Sequence, residues 1–202
     1  MVIRIGIDFD NTIVNYENSF YHEAIKRKIF KKNSKKKNSK NRLKKKLISL
    51  NKEDEWTKIQ GFVYGKRFNR AEPYKGAVKF LNQYCNKKNV ELFIISHKTL
   101  YPIIGEKINL HKISKEWIAK KKIFQNKNDN WIKKHIFFLK TKEKKIKKII
   151  DLKCDYFIDD LIDILNRLPR KIKKIHFDPF EKNIKSNVKS WQELSIKFND
   201  KN

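Results

Sequence analysis

The sequence predicts an α/β fold, a parallel sheet of about five strands with helices on both faces. Three observations carry this. Short β-branched or aromatic runs recur along the chain, each followed by apolar residues at helical spacing. That alternation belongs to parallel sheets wound by crossover helices. Acids and hydroxyls close several of the runs, at the strand ends where ligands gather in such sheets. Residues 13–72 break the rhythm with helical patterns and no clear strand, the mark of an insertion.

VIRIGI at residues 2–7 reads as a buried strand ending at Asp8. Over 17–31, Phe20, Ala24, Ile25 and Ile29 fall at helical spacing. Like-charge repulsion predicts a mobile loop over 33–42, before a helix marked by Leu43, Leu47, Ile48 and Leu50. Residues 56–65 (WTKIQGFVYG) set aromatics among two glycines and read as a structured loop. Pro73 and Gly76 precede a helix carrying Val78, Leu81 and Tyr84. NVELFII (89–95) is the second strand, ending at Ser96. A loop over 97–109 follows, then a helix with Leu110, Ile113, Trp117 and Ile118 on one face. HIFFL (135–139) is the third strand, and Thr141 can cap a helix over 142–152. DYFI (155–158) is the fourth, ending at Asp159 and Asp160 before a short helix over 161–167. KIHF (174–177) is the fifth, and a helix over 188–197 closes the chain. The expected domains are a core at 1–12 and 73–202 and an inserted helical cap at 13–72, with no internal repeat.

The length of 202 residues suits one domain with an insertion. Hydrophobic residues at 39% and aromatics at 12% exclude wholesale disorder. No stretch nears ~20 apolar residues, so no membrane span is expected. The opening MVIRIGIDFD is too charged for a signal peptide. Cys85 and Cys154 are too few for a disulfide scaffold or a cysteine zinc site, and a cytoplasmic location is expected. The net charge of +28 suggests an anionic partner, nucleic acid among the candidates. Yet the basic residues are 43 Lys and only 7 Arg, and Arg is the residue of specific base readout. Lys, Ile, Asn and Phe share A/T-rich codons, so genome composition explains much of the charge. Residues 26–46 hold 13 Lys or Arg and no acid, with Phe30 their only aromatic and so no stacking platform.

Candidate site residues cluster at strand ends: Asp8, Asp10 and Thr12, then Ser96, then Asp159 and Asp160. Carboxylates at two central strand ends repel unless a cation sits between them, and a hard cation such as Mg²⁺ suits such oxygens. Asp8 and Asp10, two apart in an extended segment, point the same way. They can divide labour as nucleophile and general acid/base. Thr12 can hold the turn and is a candidate for touching substrate, and Ser96 can donate to a phosphoryl oxygen. Lys142, Lys144 or Lys145 can offset developing charge. His97, Lys98 and Gln60 are candidates for touching substrate, with Trp56 and Tyr64; a polar loop also explains His97 and Lys98, and core packing the aromatics.

DFDNT (8–12), IIS (94–96), a helix-borne Lys and FIDD (157–160), in that order, resemble the haloacid dehalogenase-like (HAD) superfamily of hydrolases. The likeness runs from residue 2 to about 195. It implies a Rossmann-like three-layer sheet, Asp8 as a nucleophile that becomes an aspartyl-phosphate, and Asp10 as general acid/base. It implies Mg²⁺ held by Asp8, the Asp10 backbone carbonyl and Asp159, with Asp160 or Asp163 as second acidic contact and Asp160 favoured. Counting back from Asp159 at the family's spacing selects Lys145. The second Asp, Asp10, points to phosphoryl transfer rather than dehalogenation. The helical insertion resembles the family's cap. Residues 56–65 and SHKT (96–99) resemble an uncharacterised subgroup for which a sugar phosphate is a candidate substrate. The leading expectation is a Mg²⁺-dependent phosphatase of a small phosphomonoester. The alternatives are a nucleotide or polynucleotide-end phosphatase recruited by the basic cap, and a catalytically silent anion-binding module.

Overall fold

The computed structural model describes residues 2–180 and 187–199; the rest of the expected core span lies outside the described residues. The chain forms β1 (Ile3–Ile7), β2 (Val14–Asn15), α1 (Glu17–Lys26), α2 (Ser39–Ile48) and α3 (Glu53–Tyr64). After a 3₁₀ turn at Phe68–Arg70 come β3 (Glu72–Pro73), α4 (Ala77–Tyr84), β4 (Val90–His97), α5 (Leu110–Lys120) and α6 (Asp129–His135). Then follow β5 (Ile136–Leu139), α7 (Lys142–Asp151), β6 (Tyr156–Asp159), α8 (Ile162–Asn166), β7 (Lys173–Phe177), β8 (Asn187–Val188) and α9 (Trp191–Asn199). Two compact units result. The first is Met1–Val14, Pro73–Lys98 and Ile118–Asn202; the second is Asn15–Glu72 with Thr99–Trp117.

The first unit holds a parallel sheet of order β5-β4-β1-β6-β7-β8. The five expected strands are there, and the two-residue β8 adds a sixth at the edge. The chain winds outward from β1 through β4 to β5, then returns to the other side of β1 for β6. That reversal leaves a crevice at the carboxyl ends of β1 and β6. On one face, Phe93, Ile95 and Phe157 pack on Ile149 of α7 and on Ile164 and Leu165 of α8. On the other, Phe80 of α4 stacks on Tyr84 at 4.2 Å and meets Trp191 of α9 at 5.2 Å, while Phe198 meets Tyr156 at 4.9 Å. Burial on both faces is why these strands read as continuous apolar runs rather than alternating ones. Gly6 answers a close approach: a Cβ there would lie 2.6 Å from the Phe157 ring.

The second unit packs α1, α2 and α3 through Phe20 and Ala24, Leu43 and Leu47, and Trp56, Ile59 and Val63. Phe20 stacks on Trp56 at 5.4 Å. Residues 56–64 are therefore helix, not the expected loop. Glu53, Asp54 and Glu55 occupy the first turn, where acids complement the helix dipole, and the three apolar residues share one face. The helix keeps Gly61 because a Cβ there would run into the Ile104 carbonyl oxygen.

The basic run is also more ordered than repulsion alone predicts. Residues 39–42 belong to α2, whose start is held by Glu17: its carboxylate accepts from the Ser39 amide at 2.5 Å and the Ser39 hydroxyl at 2.9 Å. Burial pushes the Glu17 carboxyl above its ordinary range. Phe30 is buried under the Arg42 guanidinium, 4.8 Å from the ring centre. The Tyr21 hydroxyl donates to the Lys32 carbonyl at 2.9 Å. Arg27 bridges Glu23 and Glu55, each at 2.6 Å. Repulsion among exposed lysines is screened within about 10 Å, so these short contacts prevail.

Two further elements carry no periodicity long enough to read. Helix α6 is capped by the Asn128 side chain, which accepts from the Trp131 amide. Residues 187–188 pair with β7, so the last helix begins at Trp191 rather than at 188.

Candidate active site

Strand register assembles the acidic centre. Ile7 is level with Ile94 of β4 and Ile158 of β6, so Asp8 and Asp159 come next on adjacent strands. The Asp8 amide donates to the Ile158 carbonyl at 2.9 Å. The chain then turns sharply: Asn11 has φ 64, and the Ile13 and Val14 amides both donate to the Phe9 carbonyl at 3.0 Å. This turn sets Asp10 beyond Asp8 and tucks Thr12 under the site. The Thr12 hydroxyl accepts from the Asp160 amide at 3.1 Å, and its carbonyl accepts from the Trp191 indole at 3.0 Å.

Asp8 is buried, and its Oδ1 accepts from two donors, Ser96 Oγ at 2.9 Å and Lys145 Nζ at 2.5 Å. Its Oδ2 meets only the Thr12 hydroxyl, at 3.5 Å, among the described residues. Lys145 also donates to Asp159 Oδ2 at 2.7 Å. Of the three candidate lysines, geometry therefore brings Lys145 to the acids. It shares the inward face of α7 with Ile149 and is 1% exposed. Lys142 instead pairs with Asp163 at the surface at 3.0 Å, and Lys144 is exposed. Burial alone would push the Lys145 ammonium down, but the Asp8 and Asp159 carboxylates outweigh it and hold the group above its ordinary value. Burial pushes the Asp159 carboxyl up, Asp8 and Asp160 adding to this and Lys145 opposing it.

Carboxylate oxygens of Asp8, Asp159 and Asp160 lie within 4.8 Å of one another. They are hard donors on fixed strand ends. Three formal carboxylates against one ammonium leave two negative charges, which a divalent cation matches. The residues therefore fit Mg²⁺, and Asp160, not the surface Asp163, completes the cluster.

The pairing of Lys98 with Asp10 was not expected from the sequence, in which Lys98 was a candidate substrate contact or part of a polar loop. Its Nζ donates to both Asp10 oxygens, at 2.9 and 2.7 Å, and it is buried. Strand alternation could have signalled this. Ser96 and Lys98 are two apart where β4 ends and share a face, whereas His97 points the other way. The His97 ring lies 3.2 Å from the Lys140 carbonyl and makes no contact with the acids. Gln60 lies on α3, in the second unit.

No family model and no curated protein matches the sequence. Solved structures do. A HAD-superfamily hydrolase from Ehrlichia chaffeensis shares 12% identity at a TM-score of 0.52, over 99% of this chain and 98% of that one. YfnB from Bacillus subtilis, described as a HAD-hydrolase and bound to magnesium, shares 13% at 0.53, over 98% and 99%. At such identity the likeness is one of architecture, and it spans both chains from end to end: this protein has the fold of HAD-superfamily hydrolases.

Proposed function

We propose that the chain is a Mg²⁺-dependent phosphatase that hydrolyses a small phosphomonoester through an aspartyl-phosphate on Asp8. The observation that carries this reading is the asymmetric setting of Asp8. One oxygen is fixed by Ser96 and Lys145, and the other has a single long contact. A carboxylate so held presents one oxygen to an electrophile without rotating.

Asp8 Oδ2 attacks phosphorus as the bond to the leaving oxygen breaks, and Asp10 supplies that oxygen with a proton. Asp10 then takes a proton from water, whose oxygen attacks phosphorus and returns Asp8 as a free carboxylate. A protonated carboxyl oxygen donates rather than accepts. One of the two Lys98 contacts to Asp10 therefore opens before the proton moves, freeing an ammonium donor beside the transferred group. Ser96 and Lys145 offset charge there. Asp8, Asp159, Asp160 and the Asp10 carbonyl would hold the metal, which when bound supplies charge stabilisation to the phosphoryl oxygens. The second unit is assigned to substrate selection, with Gln60 as a candidate contact. The described residues contain no helix long and apolar enough to cross a membrane.

The purified protein is expected to hydrolyse p-nitrophenyl phosphate only with Mg²⁺ and to stop on chelation. Turnover undiminished in excess EDTA would overturn the reading.

A further inference from the structure

We infer that the second unit carries a separate site for a phosphoryl group, built by Arg67 and Arg70 against helix α1. A cavity of about 310 Å³ lies there, with Asn18, Ser19 and Lys26 along its α1 wall and the two arginines opposite. That volume is at the lower end of small-molecule sites.

The arginines are the reason to assign it. This chain meets nearly every need for positive charge with lysine, 43 times against 7 arginines. Three of the seven are neutralised by carboxylates: Arg4 by Glu91, Arg27 by Glu23 and Glu55, and Arg167 by Glu143. Arg42 donates to the Lys35 carbonyl, and Arg170 stands exposed at the surface. Arg67 and Arg70 have no carboxylate partner among the described residues, yet they stand three apart on one 3₁₀ turn and line one cavity. The Arg67 guanidinium is steadied over the Phe62 ring at 5.4 Å. Stacking occupies its face and leaves its N–H edge for the oxygens of an oxyanion. Glu23, the one acid in the wall, is already bridged by Arg27. Two open guanidinium forks, a nearby lysine and polar α1 side chains make a wall suited to the oxygens of a phosphate, which a guanidinium binds through two parallel hydrogen bonds and an ammonium only as a point charge.

The test is a titration of the ¹⁵N-labelled protein with pyrophosphate in EDTA, following the seven arginine Nε–H signals, each assigned by an Arg→Lys variant. Arg67 and Arg70 signals are expected to move saturably while those of Arg4, Arg167 and Arg170 stay. Equal concentrations of acetate should move neither. R67K/R70K, which keeps the charge, should weaken pyrophosphate binding about tenfold, while R170A/K171A, which removes two exposed charges, should not. Motion of all seven signals without saturation, an equal response to acetate, or full binding by R67K/R70K would overturn the proposal. Because the readout is binding at named side chains without metal, it is independent of whether Asp8 turns over phosphoesters.

Discussion

Asp8→Asn is expected to lower Mg²⁺-dependent turnover by at least about 10⁴-fold while leaving the protein folded. The size follows from the role, because removing a nucleophile forfeits the whole covalent route and not one contact. Folding should survive because the substituted carboxamide still offers a carbonyl oxygen to the Ser96 hydroxyl and Lys145, now 2.9 and 2.5 Å from Asp8 Oδ1. Lys145 also keeps its second partner, Asp159, at 2.7 Å. The check pairs p-nitrophenyl phosphate kinetics with a thermal melt. A variant that melts within a few degrees of the parent and retains near-full activity would remove Asp8 from the mechanism.

Lys145→Met should have the largest effect on stability. The change keeps the length of the side chain and deletes its charge, leaving two buried carboxylates facing each other. Breaking a buried ion pair from one side costs about 3–5 kcal/mol, which for a chain of this size lowers the melting temperature on the order of 10 °C. Lys142→Met is the matched control, since the Lys142–Asp163 side chains are 41% and 60% exposed and such pairs contribute within about 1 kcal/mol. Added Mg²⁺ should restore part of the lost stability by binding the same acids in the folded state. Equal melting temperatures for the two variants in EDTA would show that Lys145 is not the internal counter-charge.

The parallel sheet was legible because its central strands are buried on both faces, so VIRIGI, NVELFII and DYFI stand out as apolar runs with acids or a hydroxyl at their carboxyl ends. What hid the rest was mostly length and context. β8 has two residues and is defined by pairing with β7, not by any pattern of its own. Helix α3 was obscured by Gly61, a poor helix residue kept for the close approach of Ile104. The tight basic run was hidden because its anchor, Glu17, lies 22 residues from Ser39.

In the site, DFDNT, Ser96 and Asp159-Asp160 were visible as polar residues at strand ends. Choosing Lys145 over Lys142 was beyond helical spacing alone, since both precede isoleucines by four residues. The structure separates them: one faces the sheet and the other faces Asp163. Alternation with Ser96 puts Lys98 on the site's face, but its partner Asp10 lies 88 residues away and is supplied by the fold.

The most direct measurement is to supply a ³²P-labelled phosphomonoester with Mg²⁺, quench in acid during turnover, and locate the label on the protein. An acid-stable, hydroxylamine-labile label is expected on the peptide containing Asp8, absent in Asp8→Asn. Turnover with no label on the protein, or with label on any other residue, would contradict it.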